Sequence, residues 1–462
     1  MKASYAVALL LLGGLLLNSL FVVANSEASQ HVITYHKGAR AFINVQLIDG
    51  TGEKVKYDQT ILVVNDRIVK IGDTSKLNIP SGYEIVNVKN HTVIPGFIGV
   101  HNHLHISGHK YNGDNIAKLY LAAGVTSIQT VGSAFPEKEI ALASDIALGQ
   151  KLGPEIIASG PYFTGSDGNN NMQQVNKAKD IAKTLKYWKD KGVKWIKVYR
   201  HIEPTQLQTI ITEAHKLKLF VTGHLCSITF AEAINMGIDG IQHGLNSASD
   251  FRTNKTFGQC NGGREYIDII DVASPKVKAL QQLMISNNVF LTSTLSIFES
   301  SISHRSQADQ RSILLMSEQM KQRYQSSQQH KGKSDHQREQ RLKRIMAFDY
   351  QFYNMGGLLG AGVDAGRFLL PGYGDQRNFK LFLEAGFSTE QAIQVMTYNG
   401  ARILKRNDIG LIKEGKRADF LILTGSLKKN PNVINNIKTV FKQGVGYSTD
   451  SIEASLQHKI GQ

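Results

Sequence analysis

A chain of 462 residues is long enough to bury one large α/β domain and a second, smaller one. Its hydrophobic share of 42% and charged share of 20% are those of an ordinary globular protein, which excludes a mainly disordered chain. The net charge of +15 would suit a nucleic-acid binder. Much of the excess, however, sits in one Gln-, Lys- and Arg-rich stretch, His304 to Met346, with no nucleic-acid module beside it, so no nucleic-acid partner is expected.

The chain opens on MKASYAVALLLLGGLLLNSLFVVANSEAS. Basic Lys2, the apolar run from Ala6 to Ala24 and the cleavage-like Val22, Val23, Ala24 read as a secretory signal over residues 1–28. Export to a periplasm or to the outside is the expectation, with an uncleaved membrane anchor as the alternative. No Cys follows the run, so a lipid-attachment box is ruled out. No later stretch reaches the roughly 18 apolar residues of a membrane span.

Residues 29–95 alternate apolar and polar side chains with hairpin-like turns, as in AFINVQLIDGTGEKVKYDQTILVVNDRIVKIGD. From Gly99 onward, short β-branched runs alternate with amphipathic stretches, which predicts βα units and a parallel sheet. The strands are FIGVHNH, VTSIQTVG, EIIASGPYF, WIKVY, LFVTGHL, GIQHGL, VFLTSTL and LLGAGVDAG, in that order. Helical stretches such as DNIAKLYLAAG and PTQLQTIITEAHKLK lie between them, several opening on a capping residue or Pro. This order predicts a (β/α)8 TIM barrel over 96–404. The polar stretch His304 to Met346 falls between the seventh and eighth strands and is longer than a usual connection, so it reads as a lid or a peripheral helical excursion. Residues 405–462 return to a β pattern in GLIKEGKRADFLILTGS. The two flanks are predicted to pair as one small composite β-sandwich domain.

Active groups of such a barrel sit at the carboxyl ends of its strands. Those ends supply His101, His103, Lys197, His224, His243 and Asp364. Neutral imidazoles and a carboxylate suit zinc and similar cations. Four His plus one Asp exceed what one tetrahedral zinc accepts, so two divalent metals are expected. Two adjacent cations need a bridging anion; an ordinary Lys cannot supply it, whereas a lysine carrying an added carboxylate can. In VKWIKVY, an inward Lys197 shares its face with Trp195 and Tyr199 and leaves Lys194 toward the helices or solvent. Tyr199, His105 and His201 are candidate substrate contacts, joined by His109 and Arg367 on nearby loops. His215, Asp239 and Asp375 read as structural. An oxidising compartment permits a disulfide between Cys226 and Cys260; two buried thiols, or a metal-bound Cys226 near His224, are the alternatives.

VIPGFIGVHNHL, WIKVY, VTGHL, IQHGL, GAGVDAG and the tail MTYNGARILKRNDIGLIKEGKRADFLIL together resemble the amidohydrolase superfamily of metal-dependent hydrolases. The likeness is greatest to its imidazolonepropionase-like and prolidase-like members and runs over nearly the whole chain after the signal. It implies that His101, His103 and Asp364 bind the more buried metal, that His224 and His243 bind the second, and that Lys197, as N6-carboxylysine, bridges the two. A shared hydroxide is then the implied nucleophile, with Asp364 as general base and later acid. The implied activity is hydrolysis of a C–N amide-type bond in a dipeptide, an N-acyl amino acid or a cyclic amide. A single-metal hydrolase or deaminase of the same fold is the alternative. Such deaminases tend to carry a Glu soon after the fifth-strand His, whereas His224 is followed by LCSIT. A non-catalytic binding protein would be expected to lose ligands, and the set is complete. One departure is Gly99, which stands where relatives often have Asp two residues before the first motif His. A homo-oligomer is compatible with the sequence.

Overall fold

The computed structural model describes residues 31–462 apart from 167, 170, 171, 176, 306, 307 and 329–333. The segment read as an export signal lies outside the described residues. Among the described residues no helix is long and apolar enough to cross a membrane.

The alternating runs form two parallel sheets. Phe97–Asn102, Val125–Thr130 and Glu155–Ile157 make the first. Ser159–Thr164, Trp195–Val198, Phe220–Gly223, Gly240–Gln242, Phe290–Ser293 and Leu359–Ala361 follow one another in the second, with the short Gln173–Gln174 on its edge. Phe97–Asn102 is buried at every position, as a parallel strand must be when helices cover one face and core side chains the other. The intervening helices start where the sequence supplies caps. Thr229 accepts from the Glu232 N–H, and the Glu232 carboxylate accepts from the Thr229 N–H, opening Phe230–Asn235.

The stretch expected as one third strand is two. It changes partner at Ala158: Glu155–Ile157 pairs with Val125–Thr130, and Ser159–Thr164 pairs with Trp195–Val198. The bend carries the chain from one sheet to the next, and the Ser159 N–H donates to Thr130 Oγ1 at 3.0 Å across the seam. At the opposite seam the Asp364 N–H donates to the His101 carbonyl at 3.0 Å. A Cβ on Gly362 would lie 2.4 Å from the His101 nitrogen, so only glycine lets the last strand run this close to the first. The arrangement is a TIM-barrel-like α/β fold.

Among the described residues the flanks form one nine-stranded sheet in which strands of the two chain ends are neighbours: Thr92–Pro95 lies between Ala39–Leu47 and Phe420–Leu423. Two separate layers were expected, and one rolled sheet is found. Phe42 and Phe441 are three strand spacings apart, ~14 Å in a flat sheet, yet their ring centroids are 5.1 Å apart. Coiling of the twisted sheet therefore turns its ends toward each other around a shared core of Phe42, Ile61, Ile68, Phe420 and Phe441.

The polar excursion is helical, with Gln310–Leu315, Glu318–Gln328 and Asp335–Asn354. The C-terminal tail ties it down: the Ser317 N–H donates to the Ile460 carbonyl at 2.8 Å, and Ser317 Oγ donates to the Gly461 carbonyl at 3.0 Å.

Candidate metal centre

Parallel strands bring all their carboxyl ends to one rim. His101 lies at the end of Phe97–Asn102, with His103 just beyond it. His224 directly follows Phe220–Gly223, His243 directly follows Gly240–Gln242, and Asp364 follows Leu359–Ala361. His101, His103, His243 and Lys197 are buried, while His224 and Asp364 are partly open to the mouth. Asp364 is the hub. Its Oδ1 lies 3.3 Å from His103 Nε2 and 3.6 Å from His101 Nε2, and its Oδ2 lies 3.8 Å from His243 Nδ1. The His243 ring is 4.5 Å from that of His101 and 4.4 Å from that of His224. Donor atoms of His101, His243 and Asp364 all lie within 4.8 Å of one another.

The electrostatics favour ligands over salt bridges. Burial holds the His103 imidazolium down to about 4 and lowers His101, His224 and His243 as well, so all four rings are neutral near pH 7. For His224, the charges of Lys197, Arg264 and Arg200 add to the effect of burial. Burial also opposes the Asp364 charge, but the facing His101, His103 and His243 win and keep its carboxyl well below the usual range. Lys197 is 1% exposed, and burial pushes its ammonium down to about 7. His224 Nε2 is buried with no hydrogen-bond partner. Neutral imidazoles around an ionised carboxylate, with one nitrogen left unpaired, fit a divalent cation of the zinc type.

Three neighbours absent from the sequence reading orient the rings. His101 Nδ1 donates to Gln242 Oε1 at 2.6 Å, and Gln242 Nε2 donates to Thr222 Oγ1 at 2.7 Å, which fixes the amide and places the His101 proton on Nδ1. Thr294 Oγ1 lies 3.0 Å from His243 Nδ1, and the Tyr162 hydroxyl lies 3.3 Å from His103 Nδ1. Gln242 had one sequence signal, a polar residue inside a short apolar strand directly before His243.

The remaining candidates divide. Tyr199 joins the site, its ring 5.1 Å from that of His224 and 5.7 Å from that of Tyr162. The His105 ring is 5.2 Å from the His103 ring, and its Nδ1 is 3.6 Å from Glu139 Oε1, a fully buried carboxylate. His201 is not brought to the cluster. The chain turns after Val198, with the Ile202 N–H donating to the Tyr199 carbonyl, and His201 lines a separate cavity with Glu203 and Cys260. His109 bonds the Gly461 carbonyl instead. Cys226 and Cys260 are joined by a disulfide, which removes Cys226 as a metal ligand. Asp239 accepts from the Val221 N–H at 2.7 Å and pairs with His215, a structural role for both. Gly99 also has a local reason: a Cβ there would lie 2.2 Å from Asn102 Oδ1.

A family model described as Amidohydrolase family matches residues 92–446. Among solved structures, a bottromycin amidohydrolase is 15% identical with a TM-score of 0.68, over 90% of this chain and 88% of its own. A Xaa-Pro dipeptidase with methionine bound in its active site is 17% identical with a TM-score of 0.66, over 89% of this chain and 100% of its own. A prolidase complexed with N-methylphosphonate-L-proline is also 17% identical with a TM-score of 0.66, over 89% of this chain and 99% of its own. At such identities the likeness is one of fold. No curated protein sequence matches the chain.

Proposed function

The chain belongs to the amidohydrolase family, and from that premise we propose that it is an exported, two-metal hydrolase of C–N amide bonds in a dipeptide, an N-acyl amino acid or a cyclic amide. The observation that carries the reading is the convergence of His101, His103, His224, His243 and Lys197 around Asp364 at one rim of the parallel strands. His101, His103 and Asp364 would hold one divalent ion and His224 and His243 the other, zinc being the ion that this donor set suits best. Burial brings the Lys197 ammonium down to about 7, so its free amine could add carbon dioxide with release of a proton, and the resulting carbamate would supply the anion that two adjacent cations need. Bound metals would supply Lewis-acid polarisation of the scissile carbonyl and an acidified water.

The chain's own groups do the rest. Asp364, ionised and partly open to the mouth, takes the proton of the attacking water and returns it to the leaving nitrogen. Burial raises the Tyr199 phenol above its ordinary range, so it stays protonated and can donate a hydrogen bond to the substrate. In this reading the two parallel sheets close as a single (β/α)8 barrel with the site at its mouth.

The test is metal analysis together with activity on a dipeptide and N-acyl amino acid library. Two equivalents of metal are expected. Chelation should abolish turnover and zinc, cobalt or manganese restore it; activity that persists without metal overturns the reading. Lys197→Ala should lose metal from both sites and regain part of it with small carboxylates. The compact trio of His101, His243 and Asp364 supports a second reading, a single-metal hydrolase or deaminase, which one equivalent of metal and an unmodified Lys197 would select.

A further inference from the structure

The disulfide between Cys226 and Cys260 begins two residues after His224 and closes a loop that contains His243. Both histidines proposed for the second ion are thus tied to one covalent bond. Its two sulfurs are unequally placed. Cys226 is 1% exposed, whereas Cys260 is partly open and lines a cavity of about 330 Å³ together with Ser166, His201, Glu203 and Ser227. A small thiol that enters this cavity meets the Cys260 sulfur first.

The charges around the bond favour its reduced form. Among the described residues, the only hydrogen bond of the Arg200 side chain runs from Nη2 to Cys260 Sγ at 3.6 Å, and its buried Nε has no partner. Arg252 and Arg264 stand near: burial and the charge of Arg200 both lower their guanidinium groups. A cationic, partly open setting stabilises a thiolate, and a disulfide whose reduced form is stabilised is the more easily reduced.

The loop that leads to Cys260 is built mainly on itself. The Thr256 N–H donates to Asn261 Oδ1 at 2.9 Å, Asn261 Nδ2 donates to Thr256 Oγ1 at 3.0 Å, and Arg252 donates to the Asn261 and Gly262 carbonyls at 3.1 and 3.0 Å. Besides the disulfide, Lys255 Nζ ties it to the strand end by donating to the Ser227 carbonyl at 2.8 Å. On the other side, the Ser227 N–H donates to the Arg200 carbonyl at 3.0 Å and the His224 N–H to the Val198 carbonyl at 3.1 Å. A shift at Cys226 therefore passes directly to the backbone that carries His224.

We propose that Cys226 and Cys260 form a thiol-exchange site that sets the affinity for the second ion: oxidised, the loop pins His224 and His243; reduced, it releases them. The inference rests on the two-metal reading for what these histidines hold. The exchange takes a small thiol as co-reactant. A first thiolate attacks Cys260 Sγ, the S–S bond breaks, and Cys226 leaves as a thiolate and takes up a proton. A second thiolate attacks the small thiol's own sulfur in the mixed disulfide and releases Cys260 as a thiolate beside Arg200. Two small thiols are oxidised to their disulfide, and one protein disulfide is reduced to two thiols.

The experiment equilibrates the zinc-loaded protein in glutathione buffers of rising reduced-to-oxidised ratio and counts thiols by alkylation and mass spectrometry. In a parallel sample the glutathione is removed without air, and zinc affinity is measured by chelator competition. Reduction is expected in buffers that leave an ordinary structural disulfide intact, with the mixed disulfide on Cys260 and not on Cys226. The affinity for one of two zinc ions should fall about 10–100-fold on reduction and return with oxidised glutathione. Arg200→Met should shift the equilibrium against reduction by about 3–10-fold. The double variant Cys226→Ser, Cys260→Ser, with its fold checked by thermal melt, should match the reduced protein in every buffer; recovery on reoxidation of the wild type decides the matter where that variant does not fold. A disulfide that resists glutathione in the folded protein overturns the exchange site, and two zinc ions held as tightly after reduction overturn the coupling; both results leave the two-metal reading standing. Fewer than two zinc ions in the oxidised protein overturns that reading, and this inference with it.

Discussion

His243 at φ +72 and Asp364 at φ +45 both sit in the left-handed region, which costs a residue with a Cβ about 1–3 kcal/mol. The surroundings hold them there. The His243 N–H donates to the Thr292 carbonyl at 2.9 Å, and the Asp364 N–H donates to the His101 carbonyl at 3.0 Å. Each turn ends a strand early and swings its side chain into the mouth, where the carboxylate meets three imidazoles. The residue types of the candidate site were legible in the sequence because each ends its own apolar run. Gln242 as the acceptor for His101 was not, since the two are 141 residues apart and nothing in either local pattern names the other. Gln242→Leu removes that acceptor and frees the His101 tautomer, so zinc affinity measured by chelator competition should fall about 10–100-fold. Gln242→Glu keeps an acceptor at the same place and should retain most of the affinity. Equal affinities in wild type and Gln242→Leu would show that the amide does not orient the ring.

Among elements, the helix Asp335–Asn354 meets the strand Phe290–Ser293 through a carboxyl group. Asp349 is 1% exposed, accepts from Ser293 Oγ at 2.5 Å, and has a second oxygen without a partner. Burial pushes its carboxyl up to about 7, against the smaller pull of the Ser293 hydroxyl. The folded value thus lies above the ordinary 3.8, so this group's contribution to stability is complete below about pH 4 and is lost as pH rises through about 7. Asp349→Asn carries no such charge. The Tm of the variant relative to wild type should therefore rise by several degrees between about pH 5 and about pH 8, and a pH-independent difference would exclude the linkage. The existence of this helix followed from the length of polar sequence between two strands, but its buried acid could not be read, because its mostly polar sequence shows no clear apolar stripe to set its facing. The same holds for the bend at Ala158: its residues are equally suited to one strand or two, and the change of partner decides.

At the scale of the whole molecule, the chain ends act as fasteners. The C-terminal strands lie together in the rolled sheet with N-terminal strands on both sides, and the last residues cross to the rim of the parallel strands, where Gly461 accepts from both Ser317 and His109 and Ile460 bridges to Met316. One short tail thereby holds both the loop after Phe97–Asn102 and the polar excursion at Ser317. Truncation after Leu456 should lower Tm and speed proteolytic cleavage within Gln310–Gln328, read by limited digestion; unchanged cleavage would show that the excursion docks without the tail. The sequence by itself determined the alternation of strand and helix and the chemical identity of the candidate ligand set. Periodicity marks where each strand ends, and in a parallel arrangement every such end arrives at one rim. Only the tertiary structure decided that the flanks roll into one sheet, which glutamine and threonine orient the histidines, and that His201 turns away. These are meetings between distant segments, selected by packing and charge across space, and local pattern carries no record of them.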